Sequence, residues 1–188
     1  AEANDEPLYN DGCPLWLQEL GVAELKGKWD EQRQALGQES KRFIRTNTLK
    51  GTREELAHLL SEEGVVTKPV AGVPLALEVT SNSALFRTKA FKEGRFEQQD
   101  AGSQMIGAFV DAKPGQRVVD TCAGAGGKTL QLAASMAGKG VIIAMDTESW
   151  KLEDLKKRAK RAGAFNIETR LIDSTKVVKR MAGTADTV

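Results

Sequence analysis

The sequence predicts an α/β fold: an open parallel sheet with helices between its strands over the second half, preceded by a small α+β module. Three observations carry this. Short apolar runs end in Asp120, Asp146 and Asp173, 26 and 27 residues apart, with helical stretches between them. Strands alternating with helices at that spacing make right-handed βαβ units. The first run opens into a glycine-rich loop, and residues 40–95 hold short apolar runs punctuated by Pro69, Gly72, Pro74 and Asn82 around one helix.

Composition sets the bounds. The chain has 188 residues, 40% apolar and 28% charged, an ordinary globular balance with room for a core. No apolar stretch approaches the roughly 18 residues of a membrane span. The acidic start, Glu2, Asp5 and Glu6, does not fit the basic head of a signal peptide, so a cytoplasmic protein is expected. Two cysteines, Cys13 and Cys122, and one histidine, His58, exclude a disulfide scaffold and the common His-rich metal sites. The net charge of +1 is uneven: residues 1–37 hold three Lys/Arg against eight Asp/Glu, and the remainder 24 against 18. A mildly basic body permits a nucleic-acid partner without demanding one.

Along the chain, residues 1–13 lack periodicity and read as an arm. Helices follow from Pro14, with a break at Gly21 and with Trp16 and Trp29 as core anchors. Arg42–Asn47 reads as a strand. Thr52 caps a helix, Glu55 completes its capping box, Leu56, Leu59 and Leu60 form its stripe, and Gly64 ends it. Val65-Val66, Leu75–Val79 and Ala84–Phe86 read as short strands. Asp100 caps a helix to about Asp111 whose apolar face is Met105, Ile106, Phe109 and Val110. Strands at 117–120, 141–146 and 168–173 then alternate with helices at about 128–137 and 148–162. His58 reads as a surface residue. The basic side chains of the last helix, Lys151 to Arg161, read as a solvated face.

In an open parallel sheet, ligands sit at the carboxyl ends of the strands, where all three aspartates fall. The loop Asp120-Thr121-Cys122-Ala123-Gly124-Ala125-Gly126-Gly127-Lys128-Thr129 opens a helix, so small residues admit a close ligand and free helix amides face it. A carboxylate ending the next strand, Asp146, is suited to ribose hydroxyls, and Asp173 to an adenine edge. Three loop patterns compete. The dinucleotide fingerprint lacks its third glycine, which is Thr129. The P-loop keeps Gly127-Lys128-Thr129 but has Cys122 for its first glycine. The acidic-x-G-x-G-x-G loop of class I methyltransferases fits Asp120, Gly124 and Gly126, again with Cys122 at the first glycine.

At this loop the chain resembles the Nop/Sun family of RNA cytosine-C5 methyltransferases. The family's usual C-A-A-P-G-G-K-T stands here as C-A-G-A-G-G-K-T, with Gly124 and Ala125 replacing Ala-Pro. Phe96–Gln104 resembles the family's lead-in to its catalytic domain, and Arg45–Lys50 the first strand of its preceding small domain. The resemblance implies a Rossmann-like class I methyltransferase sheet, with residues 38–95 as an RNA-facing α+β domain and 96–188 as the first three strands and the start of the fourth. It implies S-adenosylmethionine as cofactor, lined by Cys122, Ala123, Gly124, Ala125, Gly126, Gly127 and Lys128. Asp146 would hold the ribose and Asp173 the adenine. It implies RNA, expected to be rRNA, as partner, with Arg42, Arg45, Lys50, Lys68, Arg87, Lys89, Lys92 and Arg95 as a guiding surface. The family's two catalytic cysteines lie in later motifs not found in these 188 residues. The expectation is therefore an amino-terminal portion, inactive alone, that self-associates through a bare sheet edge beside its first parallel strand. The competing readings are a non-catalytic RNA-binding or assembly module and a P-loop nucleotide hydrolase.

Overall fold

The computed structural model describes residues 12–174, 176, 179 and 181–188. The chain divides into a leading unit that ends at Lys41 and a larger one from Arg42 to Val188. In the leading unit, α1 (Leu15–Leu25) and α2 (Trp29–Leu36) are joined by a 3-10 turn at Lys26–Lys28. Gly21 does not break α1. It is where Trp29 packs, since a Cβ there would lie 2.3 Å from the indole. Trp29 is buried as expected, but Trp16 is 65% exposed and is no core anchor.

The larger unit begins with an antiparallel sheet of β1 (Arg42–Thr46), β2 (Thr67–Pro69), β3 (Ala76–Val79) and β4 (Phe96–Gln98), in the order β2-β3-β1-β4. Helix α3 (Arg53–Glu62) buries Leu56 and Leu60. Its capping box forms as read: the Glu55 amide donates to Thr52 Oγ1 at 3.2 Å, and the Thr52 amide to Glu55 Oε2 at 2.8 Å. Burial, not alternation, decides two departures. Ala84–Phe86 is no strand; a 3-10 turn, Leu85–Arg87, drives Leu85 into the core and sets Phe86 edge-on to Phe91. Val65 is buried before the strand starts at Thr67, while Val66 faces solvent. A short helix, α4 (Lys89–Lys92), precedes β4. β4 lies beyond the domain boundary expected at residue 95, yet it pairs Glu97 with Arg45 of β1. The small sheet therefore reaches residue 98.

The parallel sheet follows α5 (Ala101–Phe109), which Asp100 caps through the amides of Gly102 and Ser103. Its elements are β5 (Arg117–Asp120), α6 (Gly127–Ser135), β6 (Val141–Asp146), α7 (Ser149–Ala162) and β7 (Ile167–Leu171), with strand order β5-β6-β7. The third strand stops at Leu171, two residues short of Asp173. On the other side of β5, Thr187 bridges Val118 in parallel and its carbonyl accepts the Val119 amide at 2.9 Å. That is the expected beginning of a fourth strand, with β5 in the interior. Val118, Leu130, Ala133, Met136, Ile142, Ala144 and Leu155 fill one face of the sheet, and Val119, Ile143, Met145 and Met181 the other. Met105, Ile106 and Phe109 do not form the buried face of α5. That face is Gln104 and Gly107, because a Cβ at Gly107 would lie 2.1 Å from Gln131 Oε1, and only a glycine lets α6 come so near.

Candidate functional site

The three aspartates lie at one edge of the sheet but are staggered. Asp120 is level with Ala144, and Asp146 with Leu171, so each tip stands two residues beyond the previous one. At about 3.3 Å per residue, each step is roughly 7 Å. The chain rises from Asp120 into the glycine loop, whose floor is fixed by the Ala123 amide bonding the Met145 carbonyl at 2.9 Å. Gly124 (φ +55°) and Gly126 (φ +90°) take left-handed conformations. A Cβ on Gly126 would also strike Leu155 at 2.7 Å. At Gly124 and Gly127, by contrast, an added Cβ meets nothing within 4 Å, so the outer side of the loop faces an open crevice.

Asp146 closes that crevice from the neighbouring strand. Its Oδ2 accepts the Gly124 amide at 2.9 Å and its Oδ1 the Glu148 amide at 3.0 Å, with Lys151 Nζ 3.8 Å away. The Glu148 amide, helped by that of Gly124 and by Lys151 against the effect of burial, holds its carboxyl below the usual aspartate range. A carboxylate kept ionised and buried at this position still has lone pairs to offer a ligand hydroxyl. Asp173 is exposed and, among the described residues, accepts the Ser174 hydroxyl at 3.1 Å. Cys122 and Lys128 are exposed on the loop, and Lys128 makes no ion pair among the described residues. Ala123 and Gly126 are buried, and Gly124, Ala125 and Gly127 half-buried.

Thr129 decides between the loop patterns. In a P-loop its hydroxyl would serve a metal ion beside the phosphates. Here the residue is fully buried and its hydroxyl donates to Asp120 Oδ2 at 2.7 Å. Asp120 is thus occupied in pinning the loop to its strand, its Oδ1 taking the Cys122 amide at 3.3 Å. Among the described residues there is no group of His, Cys, Asp and Glu side chains able to hold a metal.

The buried side of the loop carries residues that the sequence reading placed elsewhere. Arg45, expected on an RNA-guiding surface, is buried, and it donates to the Gly127 carbonyl at 2.7 Å and to Gln99 Oε1. Arg158 donates to the Ala125 carbonyl at 2.7 Å and grips Glu97 Oε2 through Nε and a terminal nitrogen at 3.1 and 2.8 Å. Arg161 takes the other Glu97 oxygen at 2.5 Å. Burial pushes the Arg45 guanidinium down to about 10, opposed by Glu97 and reinforced by Arg158. Gln99, Gln104 and Gln131 extend the cluster. Gln99 donates to Gln131 Oε1 at 3.1 Å, Gln131 to the Gln104 carbonyl at 2.7 Å, and Gln104 to the Gln99 carbonyl at 3.0 Å. The Phe96–Gln104 and Arg45–Lys50 runs carried the sequence signals that bear on these residues. The rest of the expected basic surface is partly spoken for: Arg42 donates to the Ser81 and Ser83 carbonyls, Lys68 pairs with Glu78, and Lys89 and Arg95 with Glu93.

A glycine loop between a first parallel strand and its helix, with a buried carboxylate ending the second strand, fits the S-adenosylmethionine-dependent methyltransferase class of α/β fold. The comparisons with known proteins agree. Residues 108–188 match the 16S rRNA methyltransferase RsmB/F family and residues 13–85 the ferredoxin-like domain of RsmF/B-like methyltransferases. The chain carries domains of the RsmB/F (Nop/Sun) rRNA methyltransferase family. A probable ribosomal RNA small subunit methyltransferase B of Synechocystis is 32% identical over 82% of this chain and 35% of its own length. The Arabidopsis thaliana 25S rRNA (cytosine-C(5))-methyltransferase NSUN5 is 32% identical over 81% of this chain and 28% of its own. A methyltransferase homolog from Pyrococcus horikoshii superposes with a TM-score of 0.80 at 26% identity, covering 92% of this chain and 57% of that one. The chain spans about a third of the length of the curated relatives it matches. No helix among the described residues is long and apolar enough to cross a membrane.

Proposed function

We propose that this chain is the S-adenosylmethionine-holding part of an RNA cytosine-C5 methyltransferase acting on rRNA. The observation that carries the reading is the Asp146 carboxylate, ionised and anchored on the Gly124 amide across a loop whose outer side is open. Cys122 to Lys128 line the cofactor, Asp146 takes the ribose hydroxyls, and Asp173, one step further out, meets the adenine end. The first-turn amides of α6, without intrahelical partners, face the same crevice. When bound, S-adenosylmethionine supplies an electrophilic methyl group. The chain's own residues bind and orient it and keep a carboxylate charged beside the sugar.

Methylation at C5 of cytosine needs a thiolate that adds to C6 and makes C5 nucleophilic. Cys122 serves as a loop residue beside the cofactor, not as that nucleophile, and these 188 residues bind cofactor without transferring its methyl. Titration calorimetry tests the reading: S-adenosylmethionine and S-adenosylhomocysteine bind, and ATP with magnesium does not. Preference for ATP overturns it. Labelled-methyl transfer to rRNA, measured on this chain and on one extended at its carboxyl end, separates a cofactor-binding part from a non-catalytic RNA-binding module. Only the extended chain is expected to label cytosine.

A further inference from the structure

We infer that Arg45 of the small antiparallel sheet and Arg158 of α7 are positioning residues for the cofactor loop, clamping its carbonyls from behind so that the loop and the first turn of α6 hold their shape at the crevice. The inference rests on the reading that this loop holds S-adenosylmethionine.

Arg45 donates to the Gly127 carbonyl and Arg158 to that of Ala125, both at 2.7 Å, so two peptide planes within three residues are each held by a guanidinium. A trans peptide carries its N–H opposite its C=O, so a carbonyl pinned inward turns the following amide outward. The Gly127 clamp therefore orients the Lys128 amide, one of the first-turn donors of α6 that the helix itself leaves free. The clamp supplements the bonds that already tie the loop to Asp120, Met145 and Asp146, because several loop residues have little conformational preference of their own. Gly124, Gly126 and Gly127 are conformationally permissive, and no proline stiffens them.

The two arginines are in turn held by groups remote from the loop. Glu97 of β4 takes Arg158 and Arg161 on its two oxygens, and Gln99 takes Arg45. Arg161 rests on the Phe91 ring at 4.0 Å. One buried carboxylate thus pairs with two guanidiniums and lies near a third, Arg45, an arrangement that costs desolvation and is weak evidence for stability. A fold needing only a joint between its sheets has cheaper apolar solutions. A guanidinium can fix a backbone carbonyl with a charge-assisted hydrogen bond and keep further donors for a carboxylate, which no apolar joint can do.

The test pairs amide hydrogen exchange of the ligand-free protein with calorimetric titration of S-adenosylmethionine. Arg45→Met and Arg158→Met each remove one carbonyl clamp. Arg158 is partly exposed, so its variant folds even if burial makes Arg45→Met unstable. Loss of a charged hydrogen bond predicts about tenfold weaker binding and about tenfold faster exchange at the hydrogen-bonded loop amides of Gly124 and Gly126. Leu56→Ala, deep in the small-sheet core and away from the loop, is the control. It lowers the melting temperature while leaving both readouts at wild-type values. Folded clamp variants with wild-type exchange overturn the inference, and so do variants with faster exchange but unchanged affinity. A wild-type protein that binds no S-adenosylmethionine overturns the cofactor reading, while exchange rates in the clamp variants still decide whether the arginines fix the loop.

Discussion

On its outer side the loop between β5 and α6 offers backbone amides, one carboxylate and open space; on its inner side it is locked by guanidiniums, a buried glutamate and three glutamines. The outer groups lie close together in sequence, the Gly124 to Asp146 bond spanning 22 residues. The inner ones do not: Arg45 reaches Gly127 across 82 residues, and Arg158 reaches Glu97 across 61. Recognition is written locally, whereas the rigidity that makes it useful is gathered from the small sheet and α7. The antiparallel sheet is thus part of how the glycine loop holds its shape.

The largest effect separating the two sides is expected at Gly126. Gly126→Val imposes a β-branched residue on φ +90° and drives a side chain into Leu155, so urea denaturation should show a loss of about 3 kcal/mol or more. Asp146→Asn touches only the outer side. Calorimetry should show S-adenosylmethionine binding weakened by about tenfold, since a charged acceptor becomes a neutral one. The wild-type carboxyl is depressed in the folded state, so its contribution is present above the unfolded value and lost as pH falls through the folded one. Acid denaturation of Asp146→Asn should accordingly lack that component. Thr52→Ala removes one half of the α3 capping box and should cost about 1 kcal/mol in the same urea assay, with cofactor binding unaffected. Phe109→Ser is the smallest: the ring is 91% exposed, and the melting midpoint should move by no more than about 0.5 kcal/mol equivalent.

The sequence was legible where one interaction is repeated along a short stretch. The alternation of strand and helix placed β5, β6 and their helices within a residue or two, and Thr52 with Glu55 announced α3 outright. It misled where a polar group does an apolar group's job. Gln104 and Gly107 are the inward face of α5, so a helix rich in Met105, Ile106 and Phe109 turns those three to solvent, against hydrophobic periodicity. Arg45 carries a full charge and belongs on a surface by every compositional rule, yet Glu97 across the strand pair makes its burial tolerable. Nothing local in Arg42–Thr46 states that a glutamate will arrive beside it more than fifty residues later. Of the candidate site, the loop, Asp146 and the crevice edge were readable; the bracing behind them, and the end of β7 before Asp173, were not.

Asn47 has a wider consequence. Its side-chain nitrogen spends both hydrogens, on the Gly94 and Ala162 carbonyls at 2.8 Å each. Beside it Gly94 approaches Arg161 so closely that a Cβ would sit 2.1 Å from that carbonyl oxygen. Backbone meets backbone there, with no slack for a swivel. The small sheet is therefore riveted to the end of α7, and a side chain added at Gly94 would have to wedge the two apart.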